Sequence, residues 1–231
     1  MKHLAVIPAR GGSKRIPRKN VRPFAGRPMI AHAIAVAQAS GLFARIVVST
    51  DDDEIAAVAQ AAGAEVPFRR PAALADDHAG TGAVMVHALE KLRWPDAALA
   101  CCLYPAVPLL RGADLAAALA LLEDGQVHFA YPVLAFESPV QRALRRDTDG
   151  RTTPLYPQFT ETRTQDLEPA FHDAGQFYWG RSAAWRRGAS PLDGGRSIVL
   201  QPWQAVDIDT PDDWARAEAL YASHGATVQP T

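Results

Sequence analysis

Three short, almost uninterrupted apolar runs, Leu4–Ile7, Arg45–Ser49 and Ala98–Leu103, alternate with segments whose apolar residues recur at helical spacing. Strands apolar on both faces must be covered on both faces. Alternating them with helices therefore predicts an α/β fold with a mainly parallel sheet flanked by helices. The spacing predicts helices over 28–40, which Gly41 stops, over 81–93 and over Asp114–Glu123. Asp51 or Asp52 can cap a further helix that runs to Ala62, with Gly63 just past its end. Further strands are expected at Glu65–Phe68 and Phe129–Val133, with strand-like character at 198–208 and a last helix over 211–224 opened by Thr210-Pro211. Between about 138 and 177 the pattern turns polar, with Pro, Arg, aromatics and a DTDG turn at 147–150. That segment is expected to be an inserted β-hairpin layer over the sheet, and a candidate dimer contact. The whole chain, 1–231, is expected to form one domain, as its length suits.

In such sheets ligands bind beyond the carboxyl ends of the strands, which directs attention to the loops after residues 7, 49 and 103. The formal charge of −1 conceals an asymmetry at that end. Residues 1–50 carry nine basic residues and no Asp or Glu, so the remainder carries a net −10. A cationic start facing an acidic remainder suggests an anion site opposed to a cation site, and disfavours a chain that coats nucleic acid. No apolar run is long enough to span a bilayer, and the start does not read as a signal peptide, so no membrane role and a cytoplasmic location are expected. Cys101 and Cys102 are adjacent in a strand and should point to opposite faces, as reduced core residues.

The stretch IPARGGSKRIPRKN, residues 7–20, follows the first strand. Gly11 and Gly12 permit a sharp turn and close approach of the backbone, whose N–H groups from Ala9 through Gly12 can cradle an anion. Arg10, Lys14, Arg15, Arg18 and Lys19 add five cations, and Pro8 and Pro17 stiffen the loop. This composition suits a polyphosphate, although neither G-x-x-x-x-G-K-[ST] nor G-x-G-x-x-G is present, which removes the main support for a kinase or a dehydrogenase. At the far end, Asp207 and Asp209 lie in VDIDT. On a strand they would share a face and could hold Mg²⁺ together with water and phosphate oxygens; alternatively Asp209 caps the last helix. Asp212 and Asp213 favour the helix amino terminus electrostatically. Asp76, Asp77 and His78 read as a plain loop rather than a metal cluster.

The loop resembles the signature of the CMP-nonulosonic acid synthetases, the acylneuraminate cytidylyltransferase family. STDDDEIA at 49–56, RRPAALADDHAGTGAVMVHALE at 69–90, LYPAVPLL at 103–110 and VDIDTPDDW at 206–214 follow in the family's order, so the resemblance covers nearly the whole chain. SPVQRAL (138–144) and TRTQDLEPAFHDAGQFYW (162–179) are similar to the branch that acts on pseudaminic acid rather than sialic acid. The resemblance implies a Rossmann-like nucleotide-diphospho-sugar transferase fold and a homodimer. It implies transfer of CMP from CTP to the anomeric hydroxyl of the sugar acid, with Mg²⁺ on Asp207 and Asp209. Arg10 and Lys19 would meet the CTP phosphates, with Ser13 and Lys14 completing the cradle. Asn20 would lie near the ribose, and Arg70, the Ala79 backbone and Thr81 around the cytidine. Tyr104 stands where the sialic acid enzymes have Gln, which alters the expected sugar pocket.

For a sugar acid bearing two acetamido groups, Arg163 offers a fork suited to the carboxylate. Gln165, Asp166 and Gln176 offer partners for amides and hydroxyls, with Arg142 and His172 as further sugar-side candidates. Within the same chemistry, a sialic acid or legionaminic acid synthetase is the alternative, and a ketodeoxyoctonate enzyme a more distant one. A non-catalytic nucleotide- or RNA-binding module is the rival from another class, and the paired carboxylates argue against it.

Overall fold

The computed structural model describes residues 3–76 and 80–228. Along the chain lie β1 (His3–Pro8), β2 (Pro23–Phe24), β3 (Arg27–Pro28), α1 (Met29–Ala39), β4 (Phe43–Ser49), α2 (Asp53–Ala61), α3 (Thr81–Lys91) and β5 (Leu99–Leu103). They are followed by α4 (Gly112–Ala120), β6 (Phe129–Ala135), β7 (Leu144–Arg146), β8 (Thr152–Pro154), β9 (Phe171–Asp173), β10 (Phe177–Arg181), α5 (Ser182–Arg186), β11 (Arg196–Val199) and α6 (Pro211–Val228). The central sheet runs β11-β6-β10-β5-β1-β4, with β9 added beside β6. β4, β1, β5, β6 and β11 are parallel to one another, while β10 and β9 run against them. The expected mainly parallel α/β sheet is therefore present, with an antiparallel strand in its middle that the sequence pattern did not reveal.

Alternation along β1 divides the core. Ala5 and Ile7 join Cys101, Leu103 and the apolar faces of α1, α2 and α4 on one side. Leu4 and Val6 join Cys102, α3 and α5 on the other. The adjacent cysteines thus lie in different layers, both buried and unpaired, as the two-residue period demands. The carboxyl ends of β1, β4 and β5 come side by side, β1 in the middle.

Local chemistry sets the boundaries. Asp52, rather than Asp51, caps α2 by accepting from the Ile55 N–H at 2.9 Å. Gly63, at φ +87°, ends it, and Ala64 N–H bonds back to Ala59 O at 3.0 Å. The expected strand at Glu65–Phe68 reduces to isolated bridges at Glu65 and Arg69. Pro67, between them, has no N–H to give a ladder. Strand-like character at 198–208 shrinks to β11, and residues 200–210 are irregular. The 138–177 layer contains the predicted hairpin, β7 with β8, but its carboxyl end re-enters the main sheet through β9. α6 returns to the start of the chain. Ile208, Trp214 and Ala217 pack on Ile16, Phe24 and Met29 in a separate small core. Among the described residues no helix is long and apolar enough to cross a membrane.

Candidate active site

The loop after β1 is fixed from three directions. Ala9 N–H donates to Ser49 O at the end of β4, at 3.0 Å. Gly11 N–H donates to Asp51 Oδ1 at 3.1 Å. Asn20, itself buried, donates through Nδ2 to Arg10 O at 3.1 Å, closing the loop on itself. The glycines act differently from the expected sharp turn, since neither lies in the left-handed region. A Cβ on Gly11 would sit 2.7 Å from Asp52 Oδ2, so that position is held by close packing. Nothing lies within 4 Å of a Cβ built on Gly12, which leaves its backbone open to a ligand. The left-handed residue is Arg18, at φ +57°.

The result is a cleft of about 390 Å³, lined by Arg10, Ser13, Lys14, Arg15, Lys19, Asn20 and, from the other end of the chain, Asp209. Lys19 Nζ donates to Ile208 O at 2.6 Å and lies 3.3 Å from Asp209 Oδ1. Arg15 Nη2 lies 2.7 Å from Asp209 Oδ2. Asp209 is therefore gripped by two cations of the loop, and does not cap α6. Thr210 accepts from Asp213 N–H through Oγ1 at 3.2 Å, and Asp213 accepts in return from Thr210 N–H at 2.8 Å and from Asp209 N–H at 3.1 Å.

Asp207 and Asp209 do not share the face of a regular strand, because residues 205–209 are irregular. Asp207 instead lines a second cleft of about 420 Å³ with Phe136, Glu137, His172 and Arg216. The pair is thus divided, Asp209 lining the first cleft and Asp207 the second. The Asp207 carboxyl keeps an open edge, yet the protein packed around it, and then the charge of Asp209, push it above the ordinary range, against the pull of Lys19. A divalent cation would relieve that repulsion. Two hard carboxylate oxygens, completed by water and phosphate oxygens, are a donor set suited to Mg²⁺.

The base side is built on the next loops. Arg70 is buried and spends its guanidinium on Ser49 O, Ser49 Oγ (3.3 Å) and Leu74 O (3.4 Å), within electrostatic reach of Asp51 and Arg10. Thr81 opens α3, and its hydroxyl lies 3.2 Å from the Tyr104 hydroxyl beyond β5. Both line a third, smaller cavity of about 180 Å³ with Tyr178 and Leu192. Burial holds the Tyr104 phenol above its usual range, so it stays protonated. Tyr178 meets Tyr104 edge-on at 5.7 Å and donates its hydroxyl proton to Asp173. Neither Tyr178 nor this role of Asp173 was apparent in the sequence; their place among aromatics and acids is the only signal there. Ala79, with Asp77 and His78, lies outside the described residues.

The remaining sugar-side candidates divide. His172 faces the second cleft, its Nδ1–H donating to Asp173 O at 3.0 Å and its ring against Phe136. Gln176 is not on a polar loop: it is buried, its side-chain amide donating to Gln204 O at 2.7 Å while its backbone carbonyl accepts from Tyr104 N–H at 2.9 Å. Arg142 donates to Thr160 O at 3.2 Å and to Thr162 O, bracing the inserted segment. Arg163, Gln165 and Asp166 are exposed on a turn of that segment.

The family described as Cytidylyltransferase matches residues 4–168. A pseudaminic acid cytidylyltransferase of Campylobacter jejuni is 41% identical over 224 residues, spanning 96% of this chain and 97% of that one. A CMP-N,N'-diacetyllegionaminic acid synthase of Legionella pneumophila is 32% identical over 231 residues, spanning 95% of this chain and 96% of the other. The fold is shared with a CMP:2-keto-3-deoxy-manno-octonic acid synthetase solved with CTP, at a TM-score of 0.73 and 22% identity, over 97% of this chain and 100% of that one. The sheet, the basic loop and these matches together place the chain in the cytidylyltransferase family, among the CMP-nonulosonic acid synthetases.

Proposed function

We propose that this chain transfers CMP from CTP to the anomeric hydroxyl of pseudaminic acid, releasing diphosphate. The sugar assignment rests on the 41% identity, over almost the full length of both chains, to a relative named for that sugar. The nucleotide chemistry is supported by one juxtaposition, in which loop cations and Asp209 meet in a single cleft from opposite ends of the chain.

In this reading Arg10, Ser13, Lys14 and Lys19, with the backbone from Ala9 to Gly12, bind the phosphates. Asn20, Arg70, Ala79 and Thr81 bind the nucleoside. Tyr104, Arg142, Arg163, Gln165, Asp166, His172 and Gln176 serve the sugar, directly or by shaping its pocket. Asp207 and Asp209 would hold Mg²⁺, which supplies charge neutralisation at the α-phosphate and lowers the pKa of a hydroxyl brought to it. The chain's own part is mostly positioning and electrostatics. Lys19 and Arg10 face charge that builds on the departing diphosphate, and the sugar hydroxyl approaches from the side of Asp207. No covalent enzyme intermediate is required. A homodimer joined through the inserted layer, and a cytoplasmic location, go with this reading.

The test is diphosphate release from CTP and Mg²⁺ with pseudaminic, legionaminic and sialic acids. Pseudaminic acid is expected to be the fastest. Faster turnover of another acid overturns the sugar assignment, and no release with any of them overturns the enzyme. Arg10→Ala and Asp209→Asn should each lower kcat by roughly 10²–10³-fold with the fold intact, as the loss of a preorganised electrostatic group does.

A further inference from the structure

Arg18 belongs to the basic run, but its guanidinium is turned away from the phosphate cleft. It forks onto Asp52, with Nη2 2.9 Å from Oδ1 and Nη1 on Oδ2, and also reaches Glu54. Asp52 is meanwhile the cap of α2 and the wall against which Gly11 packs. Its neighbour Asp51 takes the Gly11 N–H. The two consecutive carboxylates after β4 thus hold both ends of the loop, Gly11 at its start and Arg18 at its last turn. Arg18 also bears the loop's left-handed backbone, φ +57°, a conformation that costs a non-glycine residue energy and persists where surrounding contacts enforce it. Its carbonyl accepts from the N–H groups of Val21 and Arg22, at 3.0 and 2.9 Å, and Lys19 follows directly.

We infer that Arg18 and Asp52 are positioning residues for nucleotide binding: their ion pair sets the loop conformation that aims Lys19 and the loop amides at the triphosphate, and Arg18 is not itself a phosphate ligand. The inference rests on the CTP reading of the cleft above.

The rival, Arg18 as a direct phosphate cation, makes the opposite electrostatic prediction, because removing Asp52 would then strengthen the local positive field. CTP binding is to be measured by calorimetry for the unsubstituted chain, Arg18→Gly, Asp52→Asn and the double variant. Glycine accepts the φ of residue 18 without strain and removes its contacts to both Asp52 and Glu54, whereas Asn caps a helix as well as Asp does and removes the charge at residue 52 alone. Both single variants should weaken CTP binding about tenfold, with the double no weaker than either, the mark of residues acting as one unit. Glu54→Gln, at an exposed position that does not endanger folding, should give a smaller weakening of the same sign. In turnover assays KM for CTP should rise while KM for the sugar acid stays put, a split that general destabilisation would not produce. Tighter CTP binding by Asp52→Asn or Glu54→Gln, additive losses, or unchanged affinity overturns the brace while leaving the cytidylyltransferase reading intact. Failure of the unsubstituted chain to bind CTP removes both.

Discussion

The Tyr104 hydroxyl lies 3.2 Å from that of Thr81, and its ring meets Tyr178 edge-on. One phenol therefore touches the residue assigned to the base and the residue lining the cavity beside it. Tyr104→Phe keeps the ring packing and deletes one hydrogen bond, worth about 1 kcal/mol. KM for CTP and for the sugar acid should each rise roughly three- to tenfold on that scale, with the melting temperature almost unmoved. A fall in melting temperature with unchanged KM values would make Tyr104 a packing residue only. Residues of this kind were unevenly legible. Arg10, Ser13, Lys14, Lys19 and Asn20 fall within eleven residues, so composition marked the basic loop, the family resemblance singled out Asn20 within it, and the cleft gathers all five. The Arg18–Asp52 fork joins residues 34 apart through a loop backbone that no spacing rule describes. Gln176 read as a polar loop residue because nothing in a sequence reports that its neighbours close over it.

At the scale of elements, the last helix is tied to the first hairpin by a buried histidine. His32 on α1 donates through Nε2 to Phe24 O at 2.9 Å and accepts on Nδ1 from Arg27 Nε at 3.2 Å. Its ring packs edge-on against Phe24 and against Tyr221 of α6. Both nitrogens are satisfied only in the neutral form. Burial, with Arg27 adding to it, lowers the His32 pKa from 6.5 to about 4. Below pH 6.5 the unfolded chain binds a proton that the folded chain refuses until about pH 4. The stabilisation is thus complete above pH 6.5 and is lost as pH falls toward 4. His32→Leu should be less stable than the unsubstituted chain at pH 7. The gap in unfolding free energy should narrow by roughly 2 kcal/mol at pH 4.5. A gap constant with pH would overturn the assignment. The buried strands and amphipathic helices around this contact were legible because burial on two faces or on one stripe leaves a period in the sequence. β10 escaped because it is a buried run beginning inside a polar, aromatic segment, and its antiparallel direction depends on a connection that no local period records.

At the scale of the molecule, the chain's charge asymmetry becomes a geometry: the basic start and the acidic end face each other across one cleft, and α6 is packed onto the start to hold them there. The inserted layer is anchored to the main sheet at its carboxyl end, through β9, and its hairpin is the less supported part. Among the described residues β7 pairs only with β8, and a two-stranded ribbon without a further sheet partner is marginal in water. Leu167 is buried in the layer, but several of its large apolar side chains are not. Leu144, Leu155 and Phe171 are 57%, 43% and 47% exposed, with Tyr156 beside them. Arg142 stiffens the segment from within by donating to the carbonyls of Thr160 and Thr162, which shapes a face without covering it. Large apolar side chains left exposed within one segment are candidates for an interaction site, and a second copy of this chain offers the same residues in return, as a two-fold interface requires. The protein is therefore expected to sediment as a dimer. Leu144→Ser with Leu155→Ser should shift it to the monomer at micromolar concentration, leaving the melting of the central sheet in place. A dimer that survives both substitutions puts the interface elsewhere. A chain that is monomeric without them leaves the exposed layer to some other partner.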